Sequence, residues 1–173
     1  MDTIIVLFSL IILASVILIG VYFILKQFFD QEEKKRNFEI KKTTAEQLVP
    51  LKLQAYERMI LLLERISPNS LVMRVNKSGV SVRFFQGELI KNIRGEFEHN
   101  LSQQIYISPA AWEMVKSAKE EIIKLVNLAS TQVKETSDPQ ELAQKIIELS
   151  AQLKKLPTAV AIDFIKKEVS QSL

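Results

Sequence analysis

The stretch VRFFQGELIKNIRGEFEHNLSQQIY, residues 82–106, decides how the chain is read. Its large apolar residues Phe85, Leu89, Ile93, Phe97, Leu101 and Ile105 recur at four-residue steps, with Ile90 alongside. That spacing stacks them on one face of an α-helix and leaves charged and amide side chains on the other. Ser81 stands where a hydroxyl can accept from an otherwise unpaired backbone N–H at a helix start. The pattern predicts a long amphipathic helix over 82–106. Such a helix has to bury its apolar stripe against another element, so its neighbours set the architecture.

Downstream, Ser108-Pro109 stops one helix and starts the next, with serine as cap and proline in the first turn. The following segment, 109–134, carries Trp112, Val115, Ile122, Val126, Ala129 and Val133 at helical spacing, and Trp112 reads as a core anchor. Asp138-Pro139-Gln140-Glu141 combines a capping residue, a first-turn proline and a glutamate three positions after the cap. It opens a helix over 139–155 that is expected to bury Leu142, Ile146, Leu149 and Leu153. Pro157 opens a last helix, with Val160, Phe164 and Val169 on one face and Lys166 and Lys167 on the other.

Upstream, Ser67-Pro68 repeats the restart device. Residues 69–77 read as one or two helical turns, because a strand through 71–75 would have no partner, and Gly79 is a natural stop. Leu53, Tyr56, Ile60, Leu63 and Ile66 mark a helix over 51–66, with Leu61 and Leu62 widening its stripe. Residues 30–50 form a charged connector. Thr43 and Glu46 have capping-box spacing for a new helix start, yet no glycine or proline interrupts 26–49, so an extension of the preceding helix is the alternative. Pro50 marks either a first turn or a kink.

Hydrophobic residues make up 47% of the 173-residue chain, and they concentrate at the N-terminus. Residues 4–25 contain no charge and only Ser9, Ser15 and Tyr22 as polar members. A helix of that length spans roughly 33 Å, enough for a hydrocarbon core of about 30 Å. Lipid offers no partner to backbone polar groups, so the segment is expected to be helical. A cleaved signal peptide fits poorly: Met1-Asp2-Thr3 lacks a basic side chain, the apolar run is long, and Lys26-Gln27-Phe28-Phe29 is a poor cleavage site. Lys26, Lys34, Lys35, Arg36, Lys41 and Lys42 all follow the run, which places the C-terminal side in the cytoplasm. Asp30, Glu32, Glu33 and Glu39 are interleaved and leave 26–42 at about +2, short of a polybasic lipid-binding cluster.

The reading is an all-α protein: a transmembrane anchor (1–29), a charged juxtamembrane connector (30–50) and a compact cytoplasmic helical bundle (51–173). The chain has no cysteine, which excludes disulfides, thiolate metal sites and a cysteine nucleophile. A net charge of +3 without a concentrated basic face argues against nucleic-acid binding. Gly79, Gly87 and Gly95 are isolated, so no phosphate-binding loop exists; Gly87 and Gly95 within the long helix either permit a close helix approach or are merely tolerated.

Asn92, Glu96, His99 and Gln103 follow steps of four, three and four, lining one face. Solvated faces carry more lysine and glutamate, so these four form a candidate polar seam for a partner, against the simpler reading of a wet surface. Glu96-x-x-His99 has the spacing of a di-iron bundle ligand pair. A complete site needs two such motifs and the chain has one histidine, so no metal or cofactor is expected within one chain. Ser102 near His99 lacks the strained turn of a serine nucleophile.

Residues 93–108, with Ala111-Trp112-Glu113, Ala118-Lys119-Glu120-Glu121 and the 51–65 segment around Tyr56-Glu57-Arg58, resemble an uncharacterised family of small bacterial membrane-anchored proteins. The resemblance covers nearly the whole chain. It implies a bacterial inner-membrane setting and brings no activity. The expected role is a non-enzymatic, membrane-tethered interaction module acting through 85–106 and 109–134, with a protein partner or a further copy of itself. The alternatives are an accessory subunit or assembly factor of a membrane complex, and, remotely, a metal-dependent enzyme using Glu96 and His99 across a dimer.

Overall fold

The computed structural model describes residues 2–75 and 79–172; in the first helix the described side chains are those at 7, 10, 15 and from 17 onward, residue 45 excepted. Among the described residues six α-helices follow in order: α1 (Asp2–Ile66), α2 (Pro68–Val75), α3 (Val82–His99), α4 (Pro109–Thr131), α5 (Pro139–Gln152) and α6 (Pro157–Ser172). A 3-10 helix, Leu101–Ile105, stands between α3 and α4. No strand occurs among the described residues, so the all-α expectation holds, and 71–75 is helical.

The chain divides into two units, Met1–Val49 and Pro50–Leu173. The first is helical throughout its described length. The capping-box pair Thr43 and Glu46 starts no new helix, and α1 runs through Pro50. The physical reason is that 26–49 holds no glycine or proline to end the preceding helix, and a capping residue must itself leave the helical conformation. Lys42 and Glu46 instead pair one turn apart at 4.0 Å.

Among the described residues no helix is long and apolar enough to cross a membrane. Side chains at 4–6, 8, 9, 11–14 and 16 of the expected anchor lie outside the described residues. Every described side chain from 17 to 29 is exposed, including Leu18, Phe23, Ile24 and Phe29.

In the second unit the helices start where local chemistry starts them. Ser81 Oγ accepts from Phe84 N at 3.2 Å and Ser108 Oγ from Ala111 N at 3.0 Å, while Asp138 accepts from Gln140 N at 2.8 Å. Prolines occupy the first turns of α4 and α5, where their missing N–H costs nothing. Gly79, at φ +77°, closes the α2–α3 connection in a backbone conformation that suits glycine. The caps hand over amphipathic helices: α3 buries Phe85, Leu89 and Ile93, and α4 buries Trp112, Val115, Ile122, Val126 and Ala129. Helix α4 packs on α3, α5 and α6, and α2 packs on α3 and α5. Ala55, Tyr56, Met59, Leu62, Leu63 and Ile66 of α1 join the same contiguous core.

Three expectations need correction. Helix α3 ends at His99, not at 106, so Leu101 and Ile105 are exposed at the 3-10 turn. Helix α5 ends at Gln152, with Leu153 in an extended conformation and exposed. Helix α6 docks on α4, but through Ala161, Ile162 and Ile165; Val160 is exposed, and Phe164 and Val169 are half-buried. Phe164 and Val169 still pack against the core, so the buried face is rotated from the expected one toward Ala161, Ile162 and Ile165, and only Val160 lies outside it.

A polar clasp joins three helices within this unit. Tyr56 of α1 donates its hydroxyl proton to Glu168 of α6 and accepts from the backbone N–H of Ser108 at 3.3 Å. Ser108 Oγ in turn donates to Glu168 Oε2 at 2.7 Å. Burial, reinforced by the Glu168 carboxylate, holds the Tyr56 phenol above its usual pKa of 10.0. The folded state thus holds the proton more tightly than the unfolded chain. That contribution is complete below pH 10 and is lost as pH rises through the higher folded value. Tyr56→Phe should cost about 1–2 kcal/mol at pH 8 by urea denaturation. The gap between the two proteins should shrink above pH 10; a constant gap would refute the assignment.

Candidate functional site

An open groove of about 1040 Å³ lies between the last turns of α1 and the exposed side of α3. Arg58, Leu61, Leu62 and Arg65 share one α1 face at steps of three, one and three and form one wall. Gly87, Ile90, Lys91, Arg94, Gly95 and Glu98 of α3 form the other. The stripe Phe85, Leu89 and Ile93 points away into the core, which leaves this face of α3 free. Leu61 is 58% exposed, so the groove wall is part apolar.

At one end of the groove a single carboxylate ties three helices together. Glu96 Oε1 accepts from Arg65 Nε at 2.8 Å, and Arg65 Nη2 lies 2.7 Å from the same oxygen. Arg74 Nη1 of α2 donates to that oxygen and to Asn92 Oδ1, each at 3.2 Å. Arg74 Nη2 donates to the Arg65 carbonyl at 3.1 Å, and Asn92 Nδ2 donates to the Glu88 carbonyl at 2.9 Å. Planar guanidinium groups suit this shared, directional pairing in a way lysine would not.

The four seam residues therefore separate. Asn92 and Glu96 are half-buried parts of the internal network. His99 lines the groove and is exposed. Gln103 lies in the 3-10 helix, off the register that would align it with His99. The break is made by Asn100, which is buried and donates its Nδ2 to the Glu96 carbonyl at 2.9 Å, while its backbone N–H bonds Phe97 and Glu98. A short amide side chain competing for helix carbonyls favours termination there. Among the described residues no group of three or more histidine, aspartate or glutamate side chains is arranged to hold a metal, and the Glu96 carboxylate faces arginines.

The groove cations Arg58, Lys91 and Arg94 escaped sequence reasoning. The signal available is Leu61: its place beside Leu62 widens the apolar stripe, yet it shares a face with Arg58 and Arg65 and is exposed. Gly87 and Gly95 are resolved by the structure as well. A Cβ added to either meets no atom within 4 Å, so neither glycine is required for packing within the chain.

The family model for a family of unknown function (DUF7935) matches residues 2–172, and the chain belongs to that family. The resemblance to an uncharacterised family is thereby borne out. No curated protein and no solved structure matches the chain.

Substitution separates network from surface. Glu96→Ala should destabilise by about 1–2 kcal/mol, since it removes the carboxylate that Arg65 and Arg74 share, whereas His99→Ala should stay within about 0.5 kcal/mol. Gly87→Ala and Gly95→Ala should each raise stability by about 0.5–1 kcal/mol through helix propensity alone. Chemical denaturation of the four variants checks all of these; a destabilising glycine replacement would show that the open face is not open.

Proposed function

We propose that this chain is a non-enzymatic interaction module tethered to a membrane by its N-terminal helix, with residues 50–173 in the cytoplasm. The observation that carries the reading is the helix around 17–29, whose apolar side chains are exposed on every side. A helix segment with apolar side chains exposed all round calls for an apolar surround, and a bilayer supplies one. The uncharged run from residue 4 extends that segment to spanning length. The basic side chains from Lys26 onward favour the cytoplasmic orientation. The bacterial inner membrane is the setting that the sequence resemblance implies.

The second unit supports an interaction role over an obligate subunit, because it has a contiguous core of its own. A subunit that needs its complex to fold would leave more of α3, α4 and α5 uncovered. An enzyme built on Glu96 and His99 gains no support, since Glu96 is engaged by Arg65 and Arg74.

Alkaline carbonate washing of membranes from cells expressing the full chain is the test. The protein should stay in the pellet, and protease added to right-side-out cells should leave residues 50–173 intact. Release into the wash would end the anchor, and external cleavage within 50–173 would reverse the orientation.

A further inference from the structure

We infer that the groove between α1 and α3 receives an amphipathic helix of a partner protein, with an acidic polar face. This rests on the interaction-module reading and names the chemistry of the partner. Four cations, Arg58, Arg65, Lys91 and Arg94, line the groove against two carboxylates, Glu96 and Glu98. Arg65 and Glu96 satisfy each other, which leaves Arg58, Lys91 and Arg94 against Glu98, a positive excess at the rim even with Glu120 in the field of Arg94. Lys91 is 80% exposed at its side chain and spans 3.9 Å to Glu88, a loose pair that a better-placed carboxylate can displace.

The donor arrangement favours an extended partner over a small anion. A phosphate or headgroup is held by convergent buried donors. Here the guanidinium donors of Arg65 and Arg74 are exposed and already engaged by Glu96, Asn92 and a carbonyl. What is left is a long open trough with Leu61 and Ile90 in its walls. The α3 wall runs from Gly87 to Asn100, roughly 20 Å at the rise of a helix. Helix-in-groove recognition uses that length, with apolar anchors one and two turns apart. Gly87 and Gly95 lack side chains where a second backbone could come close, and no atom of the described residues lies within 4 Å of a Cβ built there. A second copy of this chain fits less well, because two such grooves would bring like charges together.

The test uses full-length protein in a non-ionic detergent and a displayed library of 18-residue helices. The library fixes leucine at one face and randomises the other among Asp, Glu, Lys, Arg and Ala. Selected helices should be acidic. Their affinity, by fluorescence anisotropy of the synthetic peptides, should fall at least tenfold with Arg58→Glu plus Arg94→Glu. It should also fall with Gly95→Leu, while Gly95→Ala reports on folding. Basic or neutral selections, no selection at all, or binding indifferent to these substitutions would overturn the acidic-helix inference. Enrichment of a neutral helix that is lost with Gly95→Leu would keep an interaction module while removing the acidic partner. Loss of binding to phosphatidylglycerol vesicles without loss of peptide binding would assign the cations to lipid, and a concentration-dependent dimer that Arg94→Glu abolishes would assign the groove to a second copy; either result overturns the inference.

Discussion

Burial of the Phe85, Leu89 and Ile93 stripe of α3 is the contact on which the helical unit depends. It meets α4, whose own buried face continues to α5 and α6, so one central helix serves three neighbours. Phe97 stacks on Trp112 with ring centroids 5.0 Å apart, and Lys119 lies 4.3 Å above the same ring. Gln86 donates to Asn127 at 2.9 Å near the other end of the pair. With one side of α3 committed in this way, the opposite side must face outward, and the groove is the space between that side and α1.

Helix starts were legible in the sequence because they are local. Ser81, Ser108 and Asp138 each bond a backbone N–H within three residues, and no distant group has to cooperate. Helix ends were less legible. The four-residue apolar rhythm continues through Leu101 and Ile105, yet Asn100 turns its amide back on the Glu96 carbonyl and the regular helix stops. Periodicity reports what a helix would bury if it continued and cannot weigh one side-chain hydrogen bond against continuation. On α6 the expected face was partly right: Phe164 and Val169 pack on the core, but the centre of the buried face lies on Ala161, Ile162 and Ile165.

The candidate site was half legible. Asn92 and Glu96 stood out as unusual polar residues on a helix face, and the structure does give them specific partners. Those partners, Arg65 and Arg74, come from 31 and 22 positions away from Glu96. No short-range pattern links them, and a charged residue on an amphipathic helix reads as solvated until its neighbour is known. The same limit hid Arg58 and Arg94, which share a groove only because α1 and α3 are neighbours in space.

The Tyr56–Ser108–Glu168 clasp has a consequence in time as well as in energy. Tyr56 and Glu168 are 112 positions apart, so closing this contact orders most of the unit's chain between its ends. Sequence neighbours such as α3 and α4 meet at far smaller entropic cost and can pair earlier. A contact absent from the rate-limiting ensemble leaves the speed of assembly untouched and acts on the rate of opening. A clasp closed after the rate-limiting step acts on how long the assembled helices persist, like a latch fitted after the door is hung.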